Sequence, residues 1–238
     1  MNYFPLALPF LLLLFLLFLF LLILVEINVL TYAYDRMGIH PRYVFSLLLL
    51  SLLGSYVNIP VYQLPPEKVM SGGKVIFFGM HYMVPMVREW PGTIIAVNLG
   101  GAVVPTLLSL YLLVKNRLNG RGLLGVAVVA VIVHLLAYPV PGVGIAVPPL
   151  LPPLVATVVA LLLSRPFAPA MAYICGTLGT LIGADLLNLG KIQGLGAPVA
   201  SIGGAGTFDG IFTTGILAVL LASFMTGKRS APTPGPRV

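Results

Sequence analysis

GTLGTLIGADLLNLGKIQGLGAPVASIGGAGTFDGIFTTG, residues 176–215, decides how this chain is read. Two of the chain's six carboxylates, Asp185 and Asp209, stand here inside apolar, glycine-laden runs of helical length. A carboxylate at membrane depth is costly unless it is paired, protonated or turned toward a water-filled cavity, so both are candidate functional residues.

Composition supports reading the surroundings as membrane. The 238 residues are 59% hydrophobic and only 8% charged, with a mean hydropathy of +1.06. A soluble domain carries charge on roughly a quarter of its residues. The net charge of +7 comes from basic residues scattered between long apolar runs, the pattern of cytoplasmic loops rather than of a nucleic-acid surface, so no nucleic-acid partner is expected. A single cysteine, Cys175, excludes an intrachain disulfide and a cysteine-based metal site. Nothing in the sequence asks for a metal or a cofactor, and nothing sets the oligomeric state.

Outward from the opening stretch, hydropathy predicts an all-α fold, a polytopic bundle of about seven transmembrane helices in a single domain over 1–227, followed by a disordered cytoplasmic tail over 228–238. The predicted helices cover 4–32, 43–62, 92–114, 123–138, 147–163, 168–189 and 207–225. The first lacks the basic n-region and cleavage site of a signal peptide and is read as retained. Two helices are interrupted, at GSYVNIP with Asn58 and Pro60 and at VNLGGAVVP with Asn98 and Pro105. Proline removes a donor and disfavours helix in the residue before it. The fifth helix is entered through VPPLLPPL, since proline is tolerated where amides have no intrahelical partner. KVIFFGMHYMVPMV, residues 74–87, is too short to span and too apolar for a free loop, and predicts an interfacial or re-entrant flap. The loop 190–206 is uncharged apart from Lys191 and rich in glycine, and can likewise re-enter the membrane where protein or water covers its backbone.

Nine of the thirteen basic residues fall on one set of loops, which places the N-terminus outside and the C-terminus in the cytoplasm of a plasma (inner) membrane. Asp185 and Asp209 then lie toward the outer side, at facing ends of consecutive helices. Asn58, Asn98, Asn188, Gly203, Gly204 and Thr207 are the candidate substrate- or ion-binding residues beside them. His134, the only histidine within a predicted span, is a candidate proton relay. The glycines Gly176, Gly179 and Gly183 share a helical face and predict close helix packing.

Three chemistries fit two such aspartates. In a paired-carboxylate protease the two share a proton, and one activates water while the other polarises the scissile carbonyl of a transmembrane peptide. GAD at Gly183–Asp185, FDG at Phe208–Gly210 and the Pro152-Pro153-Leu154 run resemble motifs of the intramembrane di-aspartyl proteases, the presenilin and signal-peptide-peptidase group. That resemblance implies Asp185 and Asp209 as a catalytic pair, although Ile182 stands where the fuller Gly-x-Gly-Asp form has glycine. Alternatively, broken helices whose freed carbonyls join acids and amides form the midplane sites of cation- or proton-coupled carriers and channels for small ions. The third reading is a polyprenyl- or lipid-phosphate enzyme using Asp185, Asn188 and Asp209, because hard cations prefer oxygen ligands. In every case membrane lipids are the immediate partners. As a whole the chain resembles an uncharacterised family of archaeal and bacterial integral membrane proteins, on GSYVNIP, VNLGGAVVP, IGADLLNL and ASIGGAGTFDGIF as they stand here, and that resemblance implies no established activity.

Overall fold

The computed structural model describes residues 8–77, 80–140, 144–193, 195–204 and 210–227. It is mostly helical, with small sheets set among the helices. Seven α-helices are described: α1 (Leu8–Arg36), α2 (Pro41–Gly54), α3 (Val104–Lys115), α4 (Asn119–Leu136), α5 (Leu151–Leu163), α6 (Ala168–Thr180) and α7 (Gly210–Thr226). α6 is the axis of the bundle: every residue from Ala168 to Thr177 is buried, and α3, α4, α5 and α7 all pack against it.

The close packing is set by small side chains. Ala156 and Ala160 of α5, Ala172 of α6, and Ala218 and Ala222 of α7 are all fully buried. The glycine row on α6 serves two neighbours. Gly176 faces Ala156 and Ala218, whereas Gly179 and Gly183 face Val129, Ala130 and Val133 of α4. A side chain at Gly179 would sit only 2.6 Å from Val129, so this contact excludes even alanine without movement.

The all-α expectation is corrected at both interrupted helices. α2 stops at Gly54, and residues 58–63 form strand β1 (Asn58–Gln63). The first part of the expected 92–114 helix is strand β4 (Ile94–Asn98), followed by a π-helical turn, Leu99–Val103, that leads into α3. Short apolar runs rich in β-branched residues, such as IIAV, suit a buried strand as well as a helix, and periodicity alone does not separate the two. Residues 74–77 and 80–87 of the expected flap belong to a long antiparallel hairpin, β2 (Glu67–Phe77) with β3 (Met80–Trp90). A smaller hairpin joins β5 (Tyr138–Val140) and β6 (Gly144–Ala146).

The sheet that matters for the site has the order β1-β4-β7, with β7 at Val199–Ile202. β1 runs antiparallel to β4, and β7 runs parallel to it, with Val97 opposite Ile202. Pro60 has no amide to donate and sits where the β1 register shifts, on an edge strand, which is where a sheet tolerates proline. Part of the glycine-rich loop therefore becomes a strand lying against the interrupted third helix.

This exchange of helix for strand also corrects the count of spans. Among the described residues two helical segments, rather than seven, are long and apolar enough to cross a membrane by length and composition: Asn119–Leu136 and the continuous Arg165–Lys191. Arg42–Gly54 and Leu99–Lys115 are among the shorter apolar helices, and beside them extended backbone in β1 and β4, rising about 3.3 Å per residue against 1.5 Å in a helix, takes over part of the path. At the opposite end from the sheet, Arg36 donates to the Gly227 carbonyl at 2.7 Å and Lys115 to the Gly38 carbonyl at 2.5 Å. These bonds bring the α1–α2 turn, the end of α3 and the end of α7 to one basic face. The predicted tail, 228–238, lies outside the described residues.

A candidate functional site at the broken end of α6

The helix carrying Asp185 changes type as it reaches that residue. After Thr180 the backbone forms a π-helical turn, Leu181–Asp185, and then a 3-10 stretch, Leu186–Lys191. Such a change leaves carbonyls without their regular partners, and a side chain has to supply the donors. Asn188 does so: its fully buried amide donates to the carbonyls of Gly183 at 2.8 Å and Ala184 at 2.9 Å.

Asp185 stands at this break, half-buried, and its Oδ2 accepts the Gly203 amide at 2.7 Å. Gly203 and Gly204 both have positive φ, +89° and +83°, a conformation open to glycine at little cost. Gly203 also lies backbone to backbone against Gly101 and Ala102, so a side chain there would strike the main chain of the π-helical turn. Asp185 is thereby tied, through one amide, to the junction of the two interrupted segments.

On the far side of that junction Asn98 is almost fully buried and makes three bonds. Its Oδ1 accepts the Gly101 amide at 2.7 Å, capping the π-helical turn, and its amide donates to the Ser55 carbonyl at 2.7 Å and to Asn58 Oδ1 at 3.1 Å. Ser201 donates to the same Asn58 oxygen at 2.6 Å. One chain of polar groups thus runs from the end of α2 through β1 and β4 to β7 and, by way of Gly203, to Asp185.

A cavity of about 540 Å³ opens beside this network. Asp185, Thr180, Ser201 and Thr214 line it, with strand β7 on one side and Pro148, Pro149 and Pro152 on another. Thr180 is 4% exposed, and among the described residues its hydroxyl has no hydrogen-bond partner although Thr180 borders the cavity. A buried hydroxyl left unpaired is costly, so this position is a candidate contact for a group in the cavity.

The candidates from sequence are placed unequally. Asp185 and Gly204 line the cavity, while Gly203 holds Asp185 from behind. Asn58 and Asn98 join the network at its other end. Asn188 turns back onto its own helix, and among the described residues its buried Oδ1 has no partner. His134 follows Val133, which packs on Gly183, yet it is not among the residues lining the cavity. Asp209 and Thr207 lie outside the described residues. Sequence reasoning passed over Ser201, Thr180 and Thr214. The signal for Ser201 was a repeat, since Gly-Gly-Ala recurs at 100–102 and 203–205, each time after a branched aliphatic residue, and Ser201 stands where the first copy has Asn98.

The interruptions, the sheet and Asp185 all fall within one family-sized segment. A family described as Protein of unknown function (DUF1614) matches residues 52–221. The chain belongs to this family. The match takes in every element from the end of α2 to most of α7, and so the whole cavity, and leaves α1 outside. No curated protein matches the chain, and no solved structure does. None of the comparisons supports the likeness to the intramembrane di-aspartyl proteases.

Proposed function

We propose that this protein is a multi-spanning integral membrane carrier, oriented N-terminus out, that binds a small cation or protonated solute at Asp185. The observation that carries the reading is a single one: Asp185 lines a cavity at a break in a buried helix, together with Thr180, whose hydroxyl has no partner among the described residues. Acids at helix breaks within apolar bundles are how carriers assemble sites near the membrane midplane. An anion near the carboxyl end of a helix is disfavoured by the helix dipole, and a cation relieves that.

The outer surface supports the membrane setting. Leu162, Leu135, Phe45 and Phe224 are among the most exposed side chains, at 80%, 77%, 68% and 88%, while Ser, Thr and Asn are buried between helices. That inversion is unfavourable in water and natural in lipid. The basic face gathered by Arg36 and Lys115 matches a cytoplasmic side.

A second observation favours a peptide instead of an ion. β7 is the outer strand of its sheet and lines the cavity beside Asp185 and the α5 prolines, and an outer strand can accept an extended segment by backbone pairing. This is the aspartyl-protease reading, with Asp185 and Asp209 as the pair. Reconstitution in liposomes separates the two. A carrier shows uptake that depends on a sodium or proton gradient and is lost in Asp185→Asn. A protease cleaves a labelled transmembrane peptide after all gradients are collapsed and loses this in Asp185→Asn and in Asp209→Asn. Uptake unaffected by Asp185→Asn overturns the carrier assignment.

A further inference from the structure

A second cavity, of about 390 Å³, lies between α1 and α2. Its walls are apolar, with Ile27, Leu30, Phe45 and Leu48 among them, and its inner end reaches Gly100 and Gly101. One charged side chain lines it, Glu26 of α1. Among the described residues Glu26 forms no ion pair.

Position makes that carboxylate notable. Arg36 fixes the end of α1 to the basic face through Gly227. Glu26 is ten residues earlier, so it stands about 15 Å from that face at 1.5 Å per residue, near the middle of a hydrocarbon layer roughly 30 Å thick. In sequence Glu26 looks like the polar end of the first helix. In the structure α1 continues to Arg36, which leaves Glu26 at depth. A carboxylate at that depth calls for a positive partner, and the pocket around it offers only apolar surface and the hydroxyls of Thr31, Ser51 and Ser55. The Ser51 and Ser55 hydroxyls are already committed, to the carbonyls of Gly100 at 2.9 Å and Leu52 at 2.7 Å.

We propose that the α1–α2 cavity binds an amphipathic monocation, its charge against Glu26 and its apolar body among the leucine, isoleucine and phenylalanine side chains. Complementarity selects this occupant. A neutral lipid tail leaves the carboxylate unpaired, and a small hydrated ion leaves the apolar walls unused. The volume lies in the range of sites for compact organic ligands. The two cavities share no lining residue, and the Gly101–Gly203 contact lies between Asp185 and this site. The proposal rests on the bilayer setting given above but not on transport.

Equilibrium binding of radiolabelled tetraphenylphosphonium to the full chain in lipid nanodiscs tests it. The expected result is saturable binding, weakened at least about tenfold in Glu26→Gln, a loss of 1.4 kcal/mol or more. Leu48→Trp, which fills the cavity and keeps the charge, is expected to weaken binding comparably, and Glu26→Asp to retain part of it. Asp185→Asn is expected to leave it unchanged. Equal binding by the wild type and Glu26→Gln overturns the proposal, as does binding lost in Asp185→Asn but retained in Glu26→Gln. If Glu26→Gln does not yield folded protein, undiminished binding in Leu48→Trp overturns it equally.

Discussion

Two parts of this molecule share a design and differ in what surrounds it. In one, β4 leads through Gly100 and Gly101 to α3; in the other, β7 leads through Gly203 and Gly204 toward α7, and the two strands lie parallel and adjacent. The first is sealed. Gly100 is pressed against the backbone of Ser51, Gly54 and Ser55, and Asn98 satisfies the turn from within. The second forms a cavity wall, and its first glycine donates to a carboxylate that is half-exposed. Similar letters therefore make a fixed joint where neighbouring backbone fills the space, and a candidate site where a cavity and an acid lie alongside.

The largest expected effect comes from joining the two parts by force. Gly203→Val adds a β-branched side chain at φ +89° and drives it into the Ala102 backbone. A loss of about 3 kcal/mol or more is expected, seen as a collapse of the thermal unfolding midpoint in detergent. An unchanged midpoint would remove the close contact on which the comparison stands.

Asn98→Ala tests the sealed part next. It deprives the Gly101 amide and the Ser55 carbonyl of their partner in a buried setting, for an expected loss of about 2–3 kcal/mol. The counterpart at an exposed position, Asn58→Ala, should cost about 1 kcal/mol. Equal losses would mean that burial does not distinguish the two ends of the network.

Asp185→Asn is expected to separate stability from activity. The new side chain still accepts the Gly203 amide, so the midpoint should move by no more than about 1 kcal/mol, while gradient-driven uptake disappears. A large stability loss with uptake retained would make Asp185 a structural residue.

The smallest effect is expected at Gly120, near the start of α4, where an added side chain meets nothing within 4 Å. Gly120→Ala should change stability by about 0.5 kcal/mol, in the stabilising direction, because alanine loses less backbone entropy in a helix. That value sets the scale against which the losses at the glycine junction are read.

Much of the fold was legible where one period ran long enough. α4, α5, α6 and α7 stand close to the predicted segments, and Pro152 and Pro153 fall in the first turn of α5 as proline chemistry requires. The strands were not legible, because IIAVN is a short apolar run that reads as the start of the helix after it, and VASI lies in a glycine-rich stretch that reads as a loop. At the site, Asp185 was legible from its charge alone. Thr180 was not, since a threonine in a buried helix ordinarily bonds to its own backbone, and only the cavity beside it makes a hydroxyl without a partner among the described residues informative. Asn98 and Asn188 were visible as polar residues in apolar runs, but their attachment to backbone carbonyls and amides depends on helix types that the letters do not specify.

What the sequence determined by itself was where the chain would be apolar, where helices would be interrupted and where acids would stand at unusual cost. Each of these follows from the chemistry of single residues and their nearest neighbours. The tertiary structure alone decided that the interrupted ends would pair as a sheet, that Gly203 would reach Asp185 across 18 positions, and that Glu26 would face a cavity. Those outcomes depend on which backbones approach most closely, and that is settled by glycine and alanine contacts between segments far apart in the chain.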